Sequence, residues 1–235
     1  MTDWLALAKS NTSYLFDLIE KLVSIESPTR DKAANDEISS FTANLMRSME
    51  GEVTVHPETE YGDHITINWP APDGSNHKQH AFIVGHLDTV WPHGTLERMR
   101  FSERKGRLYG PGVLDMKAGI ATTIVGLQVL KHNNLWPNRP IKVLFNTDEE
   151  VGSPSSRPLV EHYAKGAAYA LIMEPGQGSN GALKTERKGL GEFRISVKGK
   201  ASHAGAFPEL GASAIHELSH KVLELQAMND WKNGI

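Results

Sequence analysis

Cysteine is absent from the 235 residues. That excludes disulfides and thiolate metal ligands, so a zinc ion here would have to be held by His, Asp and Glu. It leaves the compartment open, because periplasmic proteins can also lack cysteine. A basic excess is missing as well: 25 Lys and Arg stand against 28 Asp and Glu, which argues against a nucleic-acid partner. No apolar run approaches the ~18 residues of a membrane span. The start, Met1-Thr2-Asp3-Trp4-Leu5, lacks the basic opening and apolar stretch of a secretory signal. The expectation is a cytoplasmic protein with no membrane partner, and a periplasmic location stays open. Internal repeats and low-complexity tracts are also lacking; the most linker-like stretch is Pro70 to Lys78.

What is present is an ordinary globular composition, 39% hydrophobic, able to bury a sizeable core. Leu15, Leu18, Ile19, Leu22 and Val23 recur at helical spacing, as do Ile38, Phe41, Leu45 and Met49. They predict two amphipathic helices joined near Ser27-Pro28. Val53–Val55 and Ile65–Ile67 read as strands. Ala81–Val84, Ile141–Phe145 and Ala168–Met173 read as strands buried on both faces. Helices are expected over 116–133 and 154–165. Buried strands alternating with helices predict an α/β fold with parallel strands. Beyond Thr185 the pattern changes. Phe193, Ile195 and Val197 alternate as in a half-exposed strand, and a helix is expected from about Ala212 to Met228. One strand and one helix cannot bury their own apolar face, so this stretch reads as the opening of a second domain.

Short acidic and histidine-bearing motifs sit at the predicted strand ends. They are Gly85-His86-Leu87-Asp88, Gly110-Pro111-Gly112-Val113-Leu114-Asp115-Met116-Lys117, Asn146-Thr147-Asp148-Glu149-Glu150 and Met173-Glu174-Pro175. In α/β sheets ligands bind beyond the carboxyl ends of the strands, so His86, Glu149, Glu150 and Glu174 should converge on one rim. His86 and Asp88 are two residues apart, which puts both side chains on one face of an extended segment. His86 can then bind a metal while Asp88 accepts from its other ring nitrogen. Asp115, in a glycine-rich turn before a helix, could bridge two metals. Glu149 and Glu150 are adjacent and suited to different tasks, one as ligand and one taking a proton from water.

These motifs, in this order, resemble the M20-type zinc aminopeptidase and carboxypeptidase clan, and are most similar to its folate-cleaving glutamate carboxypeptidases. The resemblance implies a three-layer zinc-peptidase catalytic domain over 1–186, incomplete. It also implies the start of an α+β ferredoxin-like dimerisation (lid) domain over 187–235, the chain ending before the family's pattern does. It assigns His86, Asp115, Glu150 and Glu174 as ligands of two Zn2+ ions, with Co2+ or Mn2+ as possible substitutes. Glu149 becomes the general base, and Asp88 the catalytic partner of His86. A further histidine ligand and a substrate-binding arginine are expected in a segment absent here. His203, in Ser202-His203-Ala204-Gly205, matches the family histidine that stabilises the tetrahedral oxyanion across a dimer interface. A cis peptide at Asp115–Met116 is implied too.

Two other patterns carry less weight. His216-Glu217-Leu218-Ser219-His220 fits the zincin helix expression. Ile215, Leu218, Val222 and Leu225, however, read as the core stripe of that helix, and the extended continuation is missing. Gly176-Gln177-Gly178-Ser179-Asn180-Gly181 fits the dinucleotide fingerprint, yet no helix is expected after it to cradle a phosphate. The expected activity is hydrolysis of an amide bond next to a free carboxylate, releasing a C-terminal amino acid such as glutamate from a small peptide. Val143 to Glu150, Gly199 to Gly205 and Pro208 to Gly211 carry that preference. An N-acyl-amino-acid deacylase or dipeptidase of the same family is the alternative, acting on an N-acyl amino acid. A different class of outcome is an inactive fragment that binds zinc or a partner chain. A homodimer through the second domain is expected of a full-length protein.

Overall fold

The computed structural model describes residues 3–74 and 79–233. Two compact units emerge, Met1–Leu183 and Lys184–Ile235. The first contains helices α1 (Trp4–Lys9), α2 (Thr12–Ser24) and α3 (Lys32–Ser48), then strands β1 (Glu52–His56), β2 (His64–Trp69) and β3 (His80–His86). Next come a short helix α4 (Thr95–Arg98), the hairpin β4 (Ser102–Arg104) and β5 (Arg107–Tyr109), and the long helix α5 (Ala118–His132). Strand β6 (Ile141–Asn146), helix α6 (Arg157–Lys165) and strand β7 (Ala167–Ile172) complete it.

The main sheet runs β1-β2-β6-β3-β7. Strands β6, β3 and β7 are parallel, as expected; β2 and β1 add on antiparallel, so the sheet is mixed. Side-chain alternation divides it into three layers. Ile65, Ile67, Ala81, Ile83, Ile141, Val143 and Phe145 share a core with Leu22 of α2, Ile38 and Met46 of α3, and Ile120 and Ile124 of α5. On the opposite face Phe82 meets Tyr163 of α6, ring centroids 5.9 Å apart. Each fully buried Leu, Ile or Phe contributes about 1.5–3 kcal/mol, so this layering dominates the stability of the unit. Asp31 caps α3, its carboxylate accepting from Ala34 N at 3.1 Å.

Several expectations need correction. The helix expected over 116–133 begins at Ala118, because Asp115 and Met116 have non-helical dihedral angles inside a wide turn over Val113–Lys117. The Asp115–Met116 peptide is cis, as the resemblance implies. The helix expected over 154–165 starts only at Arg157, since the amides of Ser155 and Ser156 are taken by the Asp148 carboxylate. Strand β7 is an edge rather than a buried strand: Tyr169, Leu171 and Ile172 are 49%, 48% and 65% exposed. An apolar run supplies the composition for burial, but burial also takes a covering layer. The segment Val113–His132 is long and apolar enough to cross a membrane, contrary to the sequence reading. Its Ile120, Ala121, Ile124 and Leu127 are buried in the core, as in a central helix of a globular unit. The Pro70 to Lys78 stretch joins β2 to β3, and its residues 75–78 lie outside the described residues.

In the second unit helix α7 (Ala214–Ala227) is capped by Ser213, whose hydroxyl accepts from His216 N at 3.1 Å. The alternating Phe193, Ile195 and Val197 form no strand, because among the described residues the segment has no ladder partner. Lys200 and Ala212 make one isolated antiparallel bridge. Ile215, Leu218, Val222 and Leu225, expected as a core stripe, are all exposed. None of the described residues 184–233 is buried, so an apolar face is present without a core to enter.

Asp63 ties α3 to the approach of β2. Its carboxylate accepts from Lys32 Nζ at 2.7 Å and Glu58 N at 3.0 Å, and its own amide donates to Asp36 at 2.8 Å. Burial pushes the Asp63 carboxyl up, but Lys32 and the Glu58 amide outweigh it and hold the group below the ordinary range. A depressed folded value means the contribution is complete above the unfolded pKa and fades as pH falls through the folded one. Lys32 is partly solvent-screened, so Asp63→Asn should cost about 1 kcal/mol at neutral pH. That difference should close below about pH 4, as measured by urea unfolding at a series of pH values.

Candidate metal centre

Parallel register builds the site. Gly85 pairs with Phe145 and His86 with Asn146 across β3 and β6, while Val84 pairs with Ile172 across β3 and β7. Three strands therefore end side by side, and the residues following them share one rim. Beyond β3 the chain stays extended, because Leu87 N donates to Asn146 O at 2.8 Å and Thr89 N donates to Ser27 O at 2.8 Å. Leu87 is buried on one side, and His86 and Asp88 face the other, as their spacing predicts. Gly119 lets the start of α5 approach the end of β7; a Cβ there would collide with Met173 O. Gly112, at φ 68°, supplies the left-handed residue that opens the Asp115 turn.

The carboxylates gather around one imidazole nitrogen. His86 Nε2 lies 3.1 Å from Asp115 Oδ1, 3.4 Å from Glu174 Oε1 and 3.9 Å from Glu149 Oε2. Two sets of potential ligand atoms lie mutually within 4.8 Å: His86, Glu149 and Glu174, and His86, Asp115 and Glu150. His86, Asp115, Glu149, Glu150 and Glu174, far apart along the chain, thus meet in one place. His86 Nδ1 is 2.9 Å from the carbonyl oxygen of Asp88 and 3.4 Å from its carboxylate. The carbonyl is the nearer acceptor for an Nδ1 proton. The Asp88 carboxylate accepts from Thr29 Oγ1 at 2.8 Å, Glu149 N at 3.3 Å and Glu150 N at 3.2 Å. Asp88 therefore fastens the Glu149-Glu150 turn to the His86 segment, a part that spacing alone did not suggest.

Electrostatics mark the site as short of positive charge. Burial opposes a charge on His86, but Asp88 and Glu174 outweigh it and raise the imidazole to about 11. Burial, with the charges of Asp115 and Asp88, pushes Glu149 and Glu150 up, and His86 partly offsets this. An imidazole nitrogen with several carboxylate oxygens and no thiolate is a donor set that fits zinc, cobalt or manganese.

Sequence reasoning missed the supporting groups. Asp148 is fully buried and accepts from Ser155 N at 2.7 Å, Ser155 Oγ at 2.9 Å, Ser156 N at 3.0 Å and Ser156 Oγ at 2.6 Å. His64 Nε2 joins this network at 2.9 Å from Ser155 Oγ. Lys117, buried beside the Asp115 turn, donates to Ile25 O at 2.6 Å. Burial lowers its ammonium to about 7 against the pull of Glu26. Hydroxyl-rich Ser153-Pro154-Ser155-Ser156 just before a helix is the signal that could have pointed to Asp148 as its acceptor.

The remaining sequence candidates lie elsewhere. His203 belongs to the second unit, where its Nδ1 accepts from Gly205 N at 3.2 Å and Ala206 N at 3.1 Å. The ring of neutral His203 therefore carries its proton on Nε2. The Gly176–Gly181 stretch closes a small turn through Gln177 and Ala182, and no helix follows it directly. Asp148→Asn would turn an amide donor toward donors already in place, leaving buried N–H or O–H groups unmatched. It should destabilise the protein by about 3 kcal/mol, read from urea unfolding. A loss below about 0.5 kcal/mol would show that the loop is held by other contacts.

The model of peptidase family M20/M25/M40 matches residues 82–226. Carboxypeptidase G2 of a Pseudomonas species is 35% identical over 214 residues, covering 90% of this chain and 51% of that protein. A succinyl-diaminopimelate desuccinylase of Delftia acidovorans is 26% identical, over 94% of this chain and 59% of its own length. In fold, the aminopeptidase PepT structure from Bacillus cereus matches with a TM-score of 0.66 at 22% identity, covering 87% of this chain and 54% of that one. The chain thus spans little more than half the length of these relatives. With the family match covering most of the chain, including the ends of β3, β6 and β7, this protein belongs to peptidase family M20/M25/M40.

Proposed function

We propose that this chain carries most of a dinuclear zinc centre for hydrolysis of an amide bond next to a free carboxylate, releasing a C-terminal amino acid such as glutamate. The observation that carries the proposal is the meeting of His86 with Asp115, Glu149, Glu150 and Glu174 at one sheet rim. In this reading His86, Asp115 and Glu174 would hold one ion, Asp115 and Glu150 would hold the other, and Glu149 would be the general base. When bound, such a pair of ions polarises a carbonyl and lowers the pKa of water. Cobalt or manganese would meet the same donors.

The chain's own residues do the rest. Glu149, partly solvent-exposed, takes a proton from water and passes it to the leaving amine. Asp88 holds both glutamate amides and thereby the turn that presents them. His203, with its proton on Nε2, is a donor suited to a developing oxyanion. Dimerisation through the second unit belongs to the same reading, supported by the exposed apolar residues of α7.

Likeness to a carboxypeptidase at 35% identity favours release of a terminal amino acid. The desuccinylase, matched over 94% of this chain, favours a second reading: an N-acyl-amino-acid deacylase or dipeptidase with the same chemistry. An inert metal-binding fragment is the third, supported by donor counting. His86, Asp115 and Glu174 would give one ion three protein donors, whereas Asp115 and Glu150 would give the other two.

Metal content by mass spectrometry, paired with turnover of a peptidyl-glutamate and of N-acetyl amino acids, separates the three. Two metals at the strand-end centre with peptidyl-glutamate hydrolysis supports the proposal, and preference for N-acetyl amino acids supports the second reading. One metal at that centre without turnover supports the inert fragment. In an active protein Glu149→Gln should lower kcat by about 10²–10⁴ with metal content unchanged. His86→Gln and Glu174→Gln should each lower metal content. Retention of full metal by both would overturn the ligand assignment.

A further inference from the structure

Helix α7 carries a second arrangement of metal-ligating side chains, independent of the strand-end centre. His216 and His220 are four residues apart and so lie on one helical face. Their Nε2 atoms are 3.3 Å apart, with ring centroids at 4.6 Å and planes at 86°. Two nitrogens bound to one ion at about 2.0–2.1 Å in tetrahedral geometry stand about 3.3–3.4 Å apart. Square-planar or octahedral cis positions at the same bond length would bring them to about 2.9 Å. The observed 3.3 Å, which is also hydrogen-bond range between the two rings, matches the tetrahedral bite.

We propose that His216 and His220 form a bidentate site for a divalent transition ion of the zinc class, clipping one turn of α7. Both rings are exposed and open to such an ion. By helical periodicity Ile215, Leu218, Val222 and Leu225 lie on the opposite side, so covering that apolar face leaves the pair accessible. The site is a chelate rather than a zincin catalytic centre. Glu217, where the zincin expression has its base, is paired with Lys221 at 3.4 Å, and Lys221 also reaches Glu224 at 3.1 Å. Among the described residues no third ligand joins the two histidines, so water or another added ligand fills the remaining positions. The clip has a physical consequence. Where the described residues of a unit bury nothing, an ion that binds only the helical form stabilises that form by mass action.

The test is zinc titration of the full chain by calorimetry, with amide hydrogen exchange over residues 214–227. His216→Gln with His220→Gln should remove one equivalent of bound zinc and the zinc-induced slowing of exchange in α7. Gln is a good helix former, and circular dichroism of the variant without metal checks that the helix persists. His86→Gln should leave the α7 equivalent in place, which separates this site from the strand-end centre. Magnesium, which prefers oxygen ligands, should produce neither effect. Unchanged zinc stoichiometry and unchanged exchange in the double variant would overturn the proposal. So would loss of the α7 effect in His86→Gln.

Discussion

The parallel alignment of β3 with β6 and β7 is the constraint on which the rest of the strand-end centre depends. It brings the carboxyl ends of the three strands to one rim, where His86 and the acids that follow β6 and β7 meet. Asp88 then converts proximity into position. One buried carboxylate accepts from Thr29, Glu149 and Glu150, joining the α2–α3 connection to the β3 and β6 ends. A single acceptor shared by two other segments works only if the sheet has already set their spacing within hydrogen-bond range. Misalignment of β3 against β6 by one residue would turn the alternating side chains to the other face and dissolve both the core and the centre.

Charge is the second organising term, and it opposes folding. Asp115, Glu149, Glu150 and Glu174 repel one another, and burial raises the cost of keeping Glu149 and Glu150 ionised. His86 offsets part of this, and the loop is anchored by a different acid. Asp148, itself fully buried, is surrounded by the amides and hydroxyls of Ser155 and Ser156. These hydrogen bonds more than offset burial and hold its carboxyl below the ordinary range. The stretch Asp148-Glu149-Glu150 therefore contains a stable anion serving as anchor, followed by two glutamates whose charge asks for an external cation. Neighbouring acids differ because one has its donors built into the loop while the others face the rim.

The sequence made the strand ends and the converging acids legible because both follow local rules. Apolar runs mark the strands, and the residue types after them mark the chemistry. What it hid depends on partners distant along the chain. His64 reads as an ordinary start of an alternating strand, and its contact with Ser155 is set by the approach of the β6–α6 connection. Lys117 reads as a helix residue, whereas its ammonium is buried against the carbonyl of Ile25. Burial itself was the least legible property. The runs Ala81–Val84 and Ala168–Met173 look alike in composition. One lies inside the sheet and the other at its edge, since hydrophobicity records what a strand can tolerate and topology decides what covers it. The same reason explains why alternation at Phe193, Ile195 and Val197 produced no strand: a ladder is a property of two segments.

The histidines show how the backbone can assign chemistry to one side-chain type. At His86 a backbone carbonyl is the nearer acceptor for Nδ1, so Nε2 is the nitrogen left facing the carboxylates, where a cation, proton or metal, is favoured. At His203 two backbone amides donate to Nδ1, which forces the proton of the neutral ring onto Nε2 and makes that atom a donor. His216 and His220 have neither constraint from a loop; their partner is each other, at a separation set by one turn of helix. The outcome differs because the local backbone presents a carbonyl, a pair of amides or a regular helical repeat. Histidine identity alone therefore says little about role, whereas the group that meets Nδ1 says which kind of partner Nε2 can take.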